Sequence, residues 1–293
     1  MAALEVSDFA QAVIDRMGEC QDARFKQVMS ALVKYAHAFM REVDLTPEEW
    51  MAGIQFLTET GKKCDDKRQE FILLSDTLGI SMLIVALDQA RGAKALAGRP
   101  GEKPTEATVQ GPFFWPGAPQ LELGADIGQG YGEPTLYYGR VTDTGGRPVA
   151  GCELDVWSGD EHGFYDMQKG NEMHLRAQFR TDQDGNYRFW SIKPTFYPVP
   201  GDGPVGRMLD KMGRHLNRPG HMHMMLNAPG HERLITHIFV KDSPYLDSDA
   251  VFGVRNSLIV DFPRHPPGRA PDGRVLEQPY YTAHYDFRLV PSA

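Results

Sequence analysis

The spacing of apolar residues changes near residue 132, and this change limits the folds that the 293-residue chain can adopt. In the first hundred residues, apolar side chains recur every three to four positions, as Phe9, Val13, Ile14 and Met17 do, which predicts helices with one buried face. Beyond Gly132, short runs with a period of two are bounded by turn residues, which predicts strands. The sequence therefore predicts an α+β protein, with its helices first and its strands second.

This change of period divides the chain into three predicted regions. A helical N-terminal domain covers residues 1–100, a glycine- and proline-rich linker covers residues 101–131, and a strand domain covers residues 132–293. About seven short strands separated by turns are typical of an antiparallel β-sandwich. One of these turns, DQDGN at residues 182–186, predicts a β-hairpin between the strands on either side.

The segment LTPEEW marks the start of one helix. Thr46 is suited to cap the helix, Pro47 is suited to its first position, and Glu49 completes a capping box with Thr46. Further helical segments are predicted to run to about Ala97.

Charge and composition exclude some classes of partner. The net charge of −8 and the lack of a dense basic run argue against nucleic-acid binding. The most apolar stretch, FILLSDTLGISMLIVALDQA, contains Asp76 and is short for a membrane span, so it is predicted to be a buried helix. No secretory signal is recognised, and three isolated cysteines (Cys20, Cys64 and Cys152) fit a reducing cytoplasm better than a disulfide framework.

The segment HMHMML places two histidines in an apolar strand. Alternate side chains share one face of a strand, so His221 and His223 point the same way, roughly 6.5 Å apart, within reach of one metal ion. Met222, Met224 and Leu226 then form the core face. A hydrogen-bonded histidine pair without a metal is the alternative, and the strand alone does not decide between them.

Three segments together resemble the intradiol ring-cleaving dioxygenases: LDVWSGDEHGFYD, KPTFYPVPGDGPVGRML and GRHLNRPGHMHMML. The pattern of that family joins a tyrosine after a DVW strand, a second tyrosine in a KP-x-x-Y loop, and the motif Arg-Pro-x-His-x-His. The resemblance covers the strand domain closely, and a helical N-terminal part of this length also belongs to the family.

The resemblance implies a mononuclear non-haem Fe(III) held by Tyr165, Tyr197, His221 and His223. The residue types agree, because phenolates are hard anionic donors that favour ferric over ferrous iron. Tyrosine normally loses its proton near pH ~10, so a strong Lewis acid is needed to hold both as phenolates at neutral pH. Four side chains near Tyr165 stay open as rival ligands: His162, Asp155, Asp160 and Asp166.

The family's reaction implies further roles. An aromatic diol would displace Tyr197, which would accept a substrate proton, while Tyr165 would stay bound. Arg218 would stabilise negative charge that develops on the ring, with Arg214 as its competitor and a surface salt bridge as the alternative. His237 stands where catechol-cleaving relatives usually have glutamine; this resembles the hydroxyquinol-cleaving branch and implies either a hydrogen bond to the site or a buried structural histidine.

The resemblance also implies the walls of a slot for a flat aromatic ring, although the same residues could serve only as core packing. These wall residues are Ile80, Gly111, Pro112, Phe113, Val199, Pro200 and Val251.

The expected activity is cleavage of hydroxyquinol (1,2,4-trihydroxybenzene) by O2 to 3-hydroxy-cis,cis-muconate, which tautomerises to maleylacetate. Catechol or a chlorocatechol as preferred substrate is the close alternative. Two other classes stay open: a zinc or ferrous enzyme that uses only the histidines, and a non-catalytic β-sandwich that binds a ligand or a partner. Relatives form homodimers through the helical part, some with lipid enclosed between the subunits, so a homodimer is expected.

Overall fold

The computed structural model describes residues 9–66, 68–95, 101, 103–170 and 172–292. The helical prediction is confirmed as far as residue 95, with one correction, and its last two residues, 96 and 97, lie outside the described residues. The stretch FILLSDTLGISMLIVALDQA is not one buried helix: it is broken at Leu78 and Gly79 into two helices, and apolar side chains such as Ile72 and Leu83 are about half exposed. The helices are α1 (Phe9–Asp15), α2 (Ala23–Glu42), α3 (Pro47–Lys62), α4 (Glu70–Thr77), α5 (Ile80–Ala95) and α6 (Pro204–Lys211).

Local hydrogen bonds fix where α3 begins. The Glu49 backbone N–H donates to Thr46 Oγ1 at 3.2 Å, and the Thr46 backbone N–H donates to Glu49 Oε2 at 3.0 Å. Both bonds satisfy backbone donors that a helix leaves free at its first turn. The predicted capping box and the start of α3 at Pro47 are therefore confirmed.

The chain divides into two compact units, Met1–Glu59 and Thr60–Ala293. In the first unit, α1 packs against α2, and in the second α4 packs against α5 and α6. The predicted domain boundaries at residues 100 and 131 stay predictions. Among the described residues, no single helix is long and apolar enough to cross a bilayer, although α4 and Ile80–Gly92 of α5, bent by 72° from each other, meet those criteria as a pair.

The strands of the second unit form two five-stranded sheets and two small ladders. The strands are β1 (Pro134–Asp143), β2 (Glu153–Trp157), β3 (Arg176–Arg180), β4 (Asn186–Ile192), β5 (Tyr197–Pro198), β6 (Asn217–Arg218), β7 (His221–Asn227), β8 (Leu234–Val240), β9 (Ile259–Val260), β10 (Arg264–His265), β11 (Gly268–Arg269), β12 (Val275–Leu276), β13 (Tyr280–His284) and β14 (Phe287–Leu289). The first sheet has the order β10-β13-β1-β14, with β4 also paired to β1, and the second has the order β3-β2-β7-β8-β9. Most pairs are antiparallel, but β1–β13, β1–β14 and β8–β9 are parallel.

The hairpin predicted at DQDGN is wrong. The turn itself forms, with the Asp182 carboxylate accepting from the backbone N–H groups of Asp184 and Asn186. However, β3 pairs with β2 and β4 pairs with β1, so the turn carries the chain from one sheet to the other. Turn residues specify a local reversal of direction, whereas the partner of each strand depends on packing against residues far away in the chain.

The core lies between the two sheets and confirms the predicted β-sandwich. Tyr137 and Phe189 of the first sheet belong to the same buried cluster as Phe179 of the second. Met222, Met224 and Leu226 of β7 also join this cluster. Burying each such side chain contributes about 1.5–3 kcal/mol. His221 and His223 lie on the opposite face of β7 and are also almost fully buried.

Candidate active site and metal centre

Four predicted ligands meet on the outer face of β7. Tyr165 Oη lies 2.8 Å from His223 Nε2 and 3.4 Å from Tyr197 Oη, and His221 Nε2 lies 3.2 Å from His223 Nε2. All four side chains are nearly inaccessible to solvent, with Tyr197 the most exposed at 5%. Four donor atoms from three separate segments of the chain therefore converge at one buried point, which we call the donor cluster.

Strand register explains how the histidines reach this point. His223 of β7 lies opposite Trp157 of β2 and opposite His237 of β8. The Trp157 ring stacks on the His223 ring with centroids 4.6 Å apart. The two tyrosines come from outside the two large sheets: Tyr165 lies just before a short 3-10 helix, and Tyr197 begins β5 in the small β5–β6 ladder.

Burial and hydrogen bonding control the protonation of the donor cluster. Burial lowers the pKa of His221 and of His223 well below the ordinary value, with the Arg218 charge adding to the effect in both. Both imidazoles are therefore neutral. His221 Nδ1 lies 2.7 Å from the Pro219 carbonyl oxygen, which can only accept a hydrogen bond, so Nδ1 carries the proton. Nε2 is therefore unprotonated and has a lone pair that can bind a metal.

The Tyr165 hydroxyl is also favoured in its neutral form, because its pKa is shifted upward. Burial raises its pKa well above 10, and the neighbouring Tyr197 raises it further. Only a strong local positive charge would convert this phenol to a phenolate at neutral pH. The lone pair of His221 Nε2, a second neutral imidazole at His223 and two hydroxyls therefore converge at one point, and a metal ion of high charge would hold these hydroxyls as phenolates.

The structure places Arg218 beside the donor cluster. Its Nη1 lies 3.4 Å from Tyr197 Oη and 3.2 Å from His221 Nε2. Burial opposes the charge of this guanidinium, but the Asp249 carboxylate and the two tyrosines raise its pKa above the ordinary value, so it stays charged. The competitor Arg214 is held elsewhere, where it donates to the backbone oxygens of Thr77 and Ala250.

His237 is also at the donor cluster. Its ring centroid lies 4.6 Å from that of His221 and 4.4 Å from that of His223, and the three imidazoles offer nitrogen atoms within 4.8 Å of one another. Burial lowers the pKa of His237 well below its ordinary value, and His223 and His221 lower it further.

The rival ligands near Tyr165 have other partners. Asp166 forms a buried ion pair with Arg176, whose guanidinium also donates to the Phe113 carbonyl. Asp160 accepts from the backbone N–H groups of His162 and Phe164 and pairs with Lys169. Of the remaining two, Asp155 accepts from the Gln178 amide, and the His162 side chain is 70% exposed.

The predicted wall residues divide into those at the donor cluster and those beyond it. The Phe113 ring stacks on Tyr165 with centroids 4.3 Å apart. At Gly111 the backbone passes so close to His223 that a Cβ would lie 3.3 Å from His223 Cε1, and its φ of +74° favours glycine. The Val251 backbone N–H donates to Asp249, the carboxylate that holds Arg218.

Two cavities lie beside these walls. One of 560 Å³ is lined by Gly111 and Pro112, and one of 230 Å³ by Pro112, Phe113 and Pro200. Val199, two residues after Tyr197, is buried, and its backbone N–H donates to the Leu216 carbonyl. Ile80 begins α5, is 50% exposed, and is not among the described residues that line either cavity, so its role stays a prediction.

The sequence did not predict the roles of Asp249, Trp157 and Asp76 near this site. Asp249 holds Arg218, Trp157 stacks on His223, and Asp76 lines the 560 Å³ cavity. A carboxyl inside the most apolar stretch of the chain was a signal for Asp76, and the DVW motif was a signal for Trp157. Asp249 had no comparable local signal, because its partner lies 31 residues away.

Comparison with known proteins agrees with this geometry. Residues 109–290 match the family described as "Dioxygenase", and residues 22–95 match "Catechol dioxygenase N terminus". The chain belongs to the intradiol ring-cleavage dioxygenases. It is 46% identical to a hydroxyquinol 1,2-dioxygenase of Nocardioides simplex, over 97% of this chain and 95% of that protein.

Other intradiol dioxygenases are similar over the same length. A 6-chlorohydroxyquinol 1,2-dioxygenase of Cupriavidus pinatubonensis is 47% identical over 97% of each chain. The crystal structure of hydroxyquinol 1,2-dioxygenase from Pseudomonas putida DLL-E4 superposes with a TM-score of 0.87 at 44% identity and covers 98% of this chain and 99% of that one. This intradiol dioxygenase therefore shares its fold with these relatives from the helices to the last strand.

Proposed function

We propose that this intradiol dioxygenase cleaves hydroxyquinol with O2 to 3-hydroxy-cis,cis-muconate, which tautomerises to maleylacetate. In this reaction the carbon–carbon bond between the two adjacent hydroxyl-bearing carbons breaks, and both oxygen atoms of O2 enter the product. The observation that carries the proposal is the buried convergence of Tyr165, Tyr197, His221 and His223 beside Arg218. The similarity to hydroxyquinol dioxygenases over nearly the whole chain supports this choice of substrate.

The donor cluster is proposed to hold Fe(III) through Tyr165, Tyr197, His221 and His223. Two phenolates and two neutral imidazoles make a donor set that favours ferric iron over ferrous iron or zinc. When bound, the ferric ion would withdraw electron density from the diol and make the ring reactive towards O2.

The two tyrosines are proposed to have different roles. Tyr165 is held closely, by stacking on Phe113 and by the 2.8 Å contact with His223. Among the described residues, the Tyr197 hydroxyl has only longer polar contacts, each 3.4 Å, with Tyr165 and Arg218. Tyr197 is therefore the tyrosine that gives way to the substrate, and its oxygen accepts a proton from a substrate hydroxyl.

Arg218 is proposed to stabilise negative charge on the substrate. Its guanidinium is 2% exposed, it stays charged, and its Nη1 reaches both Tyr197 and His221. A fixed positive charge in a water-poor site lowers the energy of anionic states without any cost of reorganisation during the reaction.

The third hydroxyl of hydroxyquinol is proposed to reach Asp76. Asp76 is buried, lines the 560 Å³ cavity together with Gly111 and Pro112, and is close enough to Arg218 to feel its charge. Gly111 borders both this cavity and His223. A carboxyl group in the cavity wall would form a hydrogen bond with a hydroxyl that catechol lacks, and sites built around such a bond discriminate strongly against the analogue without it.

The other walls of the ring slot are proposed to be apolar. Phe113 and Pro112 would lie against the ring, with Pro200 beside them at the 230 Å³ cavity. Val199 and Val251 are buried. They follow Tyr197 and Asp249, respectively, by two positions in the chain. Ile80 is kept as a wall residue by the family resemblance alone.

The helical faces support a homodimer. On α2, side chains such as Phe25, Leu32 and Phe39 are more than half exposed, and Trp50 of α3 is 48% exposed. Apolar surface of this extent is typical of an interface between subunits. We propose that a second copy covers it, with lipid as a further component of the interface, and that the protein acts in the cytoplasm.

Turnover measurements test the proposed substrate. Oxygen uptake by the iron-loaded protein is compared for hydroxyquinol, catechol and 4-chlorocatechol, and the product is identified by mass. Hydroxyquinol is expected to give the highest kcat/KM. Faster cleavage of catechol or of the chlorocatechol would assign the protein to that substrate, and a colourless zinc-loaded protein with full activity would exclude ferric iron.

A further inference from the structure

A single threonine contacts His237 from a distant part of the chain. Thr108 Oγ1 forms a short hydrogen bond with His237 Nδ1, across 129 residues of sequence. Thr108 is 2% exposed, and His237 is fully buried. Because the two side chains have no neighbours in common along the sequence, the fold alone creates this contact.

The segment that carries Thr108 is held by hydrogen bonds to two elements, β8 and α5. The Thr108 backbone N–H donates to the Ile235 carbonyl of β8, two residues before His237. The Gln89 side chain of α5 accepts from the Ala107 backbone N–H and donates to the Thr105 carbonyl. These bonds leave the Thr108 hydroxyl little freedom to move away from the imidazole.

The hydrogen bond with Thr108 determines which ring nitrogen of His237 carries the proton. Among the described residues, His237 Nδ1 is the one partner within reach of Thr108 Oγ1. If Nδ1 carried a proton, the hydroxyl would accept it and its own hydrogen would be buried without an acceptor, which is unfavourable. The hydroxyl therefore donates to Nδ1, and the ring proton of His237 is on Nε2.

The Nε2–H of His237 is itself a buried donor without a partner among the described residues. Its ring lies against the rings of His221 and His223, so it borders the donor cluster. A buried donor at this position needs an acceptor oxygen, and the part of the chain that the structure describes does not supply one. An Nε2 that carries a proton also has no lone pair for a metal, which separates His237 from the four proposed ligands.

We propose that Thr108 is a positioning residue that fixes the Nε2–H tautomer of His237, and that this N–H donates to an oxygen of the bound aromatic substrate. The contact with substrate rests on the proposed function. The tautomer of His237 concerns the chain alone, so the tautomer and the substrate contact are tested separately.

The tautomer is measured by long-range 1H–15N correlation spectra of metal-free protein labelled with 15N-histidine, with Thr108→Val and Thr108→Ser as the matched pair. The wild type and Thr108→Ser are expected to show a bare Nδ1 and a protonated Nε2 for His237. Thr108→Val, which has nearly the same shape but no hydroxyl, is expected to lose this preference. A protonated Nδ1 in the wild type, or an unchanged tautomer in Thr108→Val, would overturn the proposal.

Substrate turnover gives the second readout. Thr108→Val is expected to lower kcat/KM for hydroxyquinol by about 10- to 100-fold, with Thr108→Ser much closer to the wild type. Iron content and circular dichroism are measured on the same samples. If Thr108→Val folds and binds iron but turns over like Thr108→Ser, the substrate contact is overturned. If the wild type takes up no oxygen with any diol, the proposed function fails while the tautomer result still stands.

Discussion

Arg218 and Asp249 form a buried ion pair beside the donor cluster, with Nε and Oδ1 3.0 Å apart and Nη2 and Oδ2 3.3 Å apart. The same carboxylate accepts from the backbone N–H groups of Val251 and Gly253. One side chain therefore holds both the guanidinium of the site and the segment that carries a predicted wall residue. Gly253 allows this approach, since a Cβ there would lie 3.0 Å from Arg218 Nη2.

Replacing Asp249 by asparagine is expected to lower both stability and activity. Removal of one partner leaves the buried Arg218 charge uncompensated, at a cost of about 3–5 kcal/mol in the free energy of unfolding. The freed guanidinium would also lose its orientation, so kcat for hydroxyquinol is expected to fall by more than about tenfold. Urea unfolding and oxygen uptake measure the two effects.

Asp261→Asn is the matched control for this change, because Asp261 pairs with Lys241 on the surface with 74% of its side chain exposed. Exposed pairs contribute only about 0–1 kcal/mol. Equal losses of stability in the two variants would contradict the role assigned to Asp249.

Replacing Tyr165 by phenylalanine tests the metal centre. Loss of a proposed ligand is expected to reduce kcat by at least about a hundredfold and to bleach or shift the phenolate-to-iron absorption band of the iron-loaded protein. Visible spectra and iron content are measured together. Tyr187→Phe is the control, since Tyr187 is also buried but donates to the Tyr285 carbonyl, away from the donor cluster. A Tyr165→Phe protein that keeps both its colour and its turnover would exclude Tyr165 as a ligand.

Replacing Asp76 by asparagine is expected to reduce the preference for hydroxyquinol over catechol. An amide keeps the size of the side chain but changes its hydrogen bonding, so kcat/KM is expected to fall by about tenfold or more for hydroxyquinol and less for catechol. Comparison of the two substrates under identical conditions gives the ratio. An unchanged ratio would remove Asp76 from the substrate site.

The same substitution has a pH-dependent effect on stability. Burial raises the pKa of Asp76 above the ordinary 3.8. The folded state therefore binds this proton more tightly than the unfolded state does, and the stabilisation is complete below the ordinary pKa and lost as pH rises through the folded value. Compared with Asp76→Asn, the wild type is expected to lose stability as pH rises above about 4. Urea unfolding at a series of pH values from about 4 upward, with Asp88→Asn on the exposed side of α5 as control, measures the difference.

Asp202 is expected to contribute to stability with the opposite sign. Hydrogen bonds from Arg68 and Lys63 lower the pKa of this carboxyl to about 2. Its contribution is complete above the ordinary value of 3.8 and is lost as pH falls through about 2. Since 63% of the side chain is exposed, the contribution is less than about 1 kcal/mol.

The loss in Asp202→Asn, measured by thermal unfolding, is therefore expected to be complete at pH 5 and much smaller at pH 2. A loss of equal size at both pH values would show that the contribution is not carried by the charge.

Local rules determined much of this protein in advance. The capping box at Thr46 and Glu49 depends on residues three positions apart, and it formed as predicted. His221 and His223 share one face of β7, and Met222 and Met224 face the core, because the period of a strand is two. Patterns of this kind act through neighbours in the chain, so the sequence alone is sufficient to read them.

Tertiary structure decided the rest. His237 faces His223 because β8 pairs with β7 in one particular register, and a shift of that register by one residue would turn His237 to the other face. Thr108 and Asp249 join the site from distant segments, and the strands flanking DQDGN joined different sheets for the same kind of reason. Each of these contacts depends on how well remote surfaces pack together, and no short stretch of sequence contains that information.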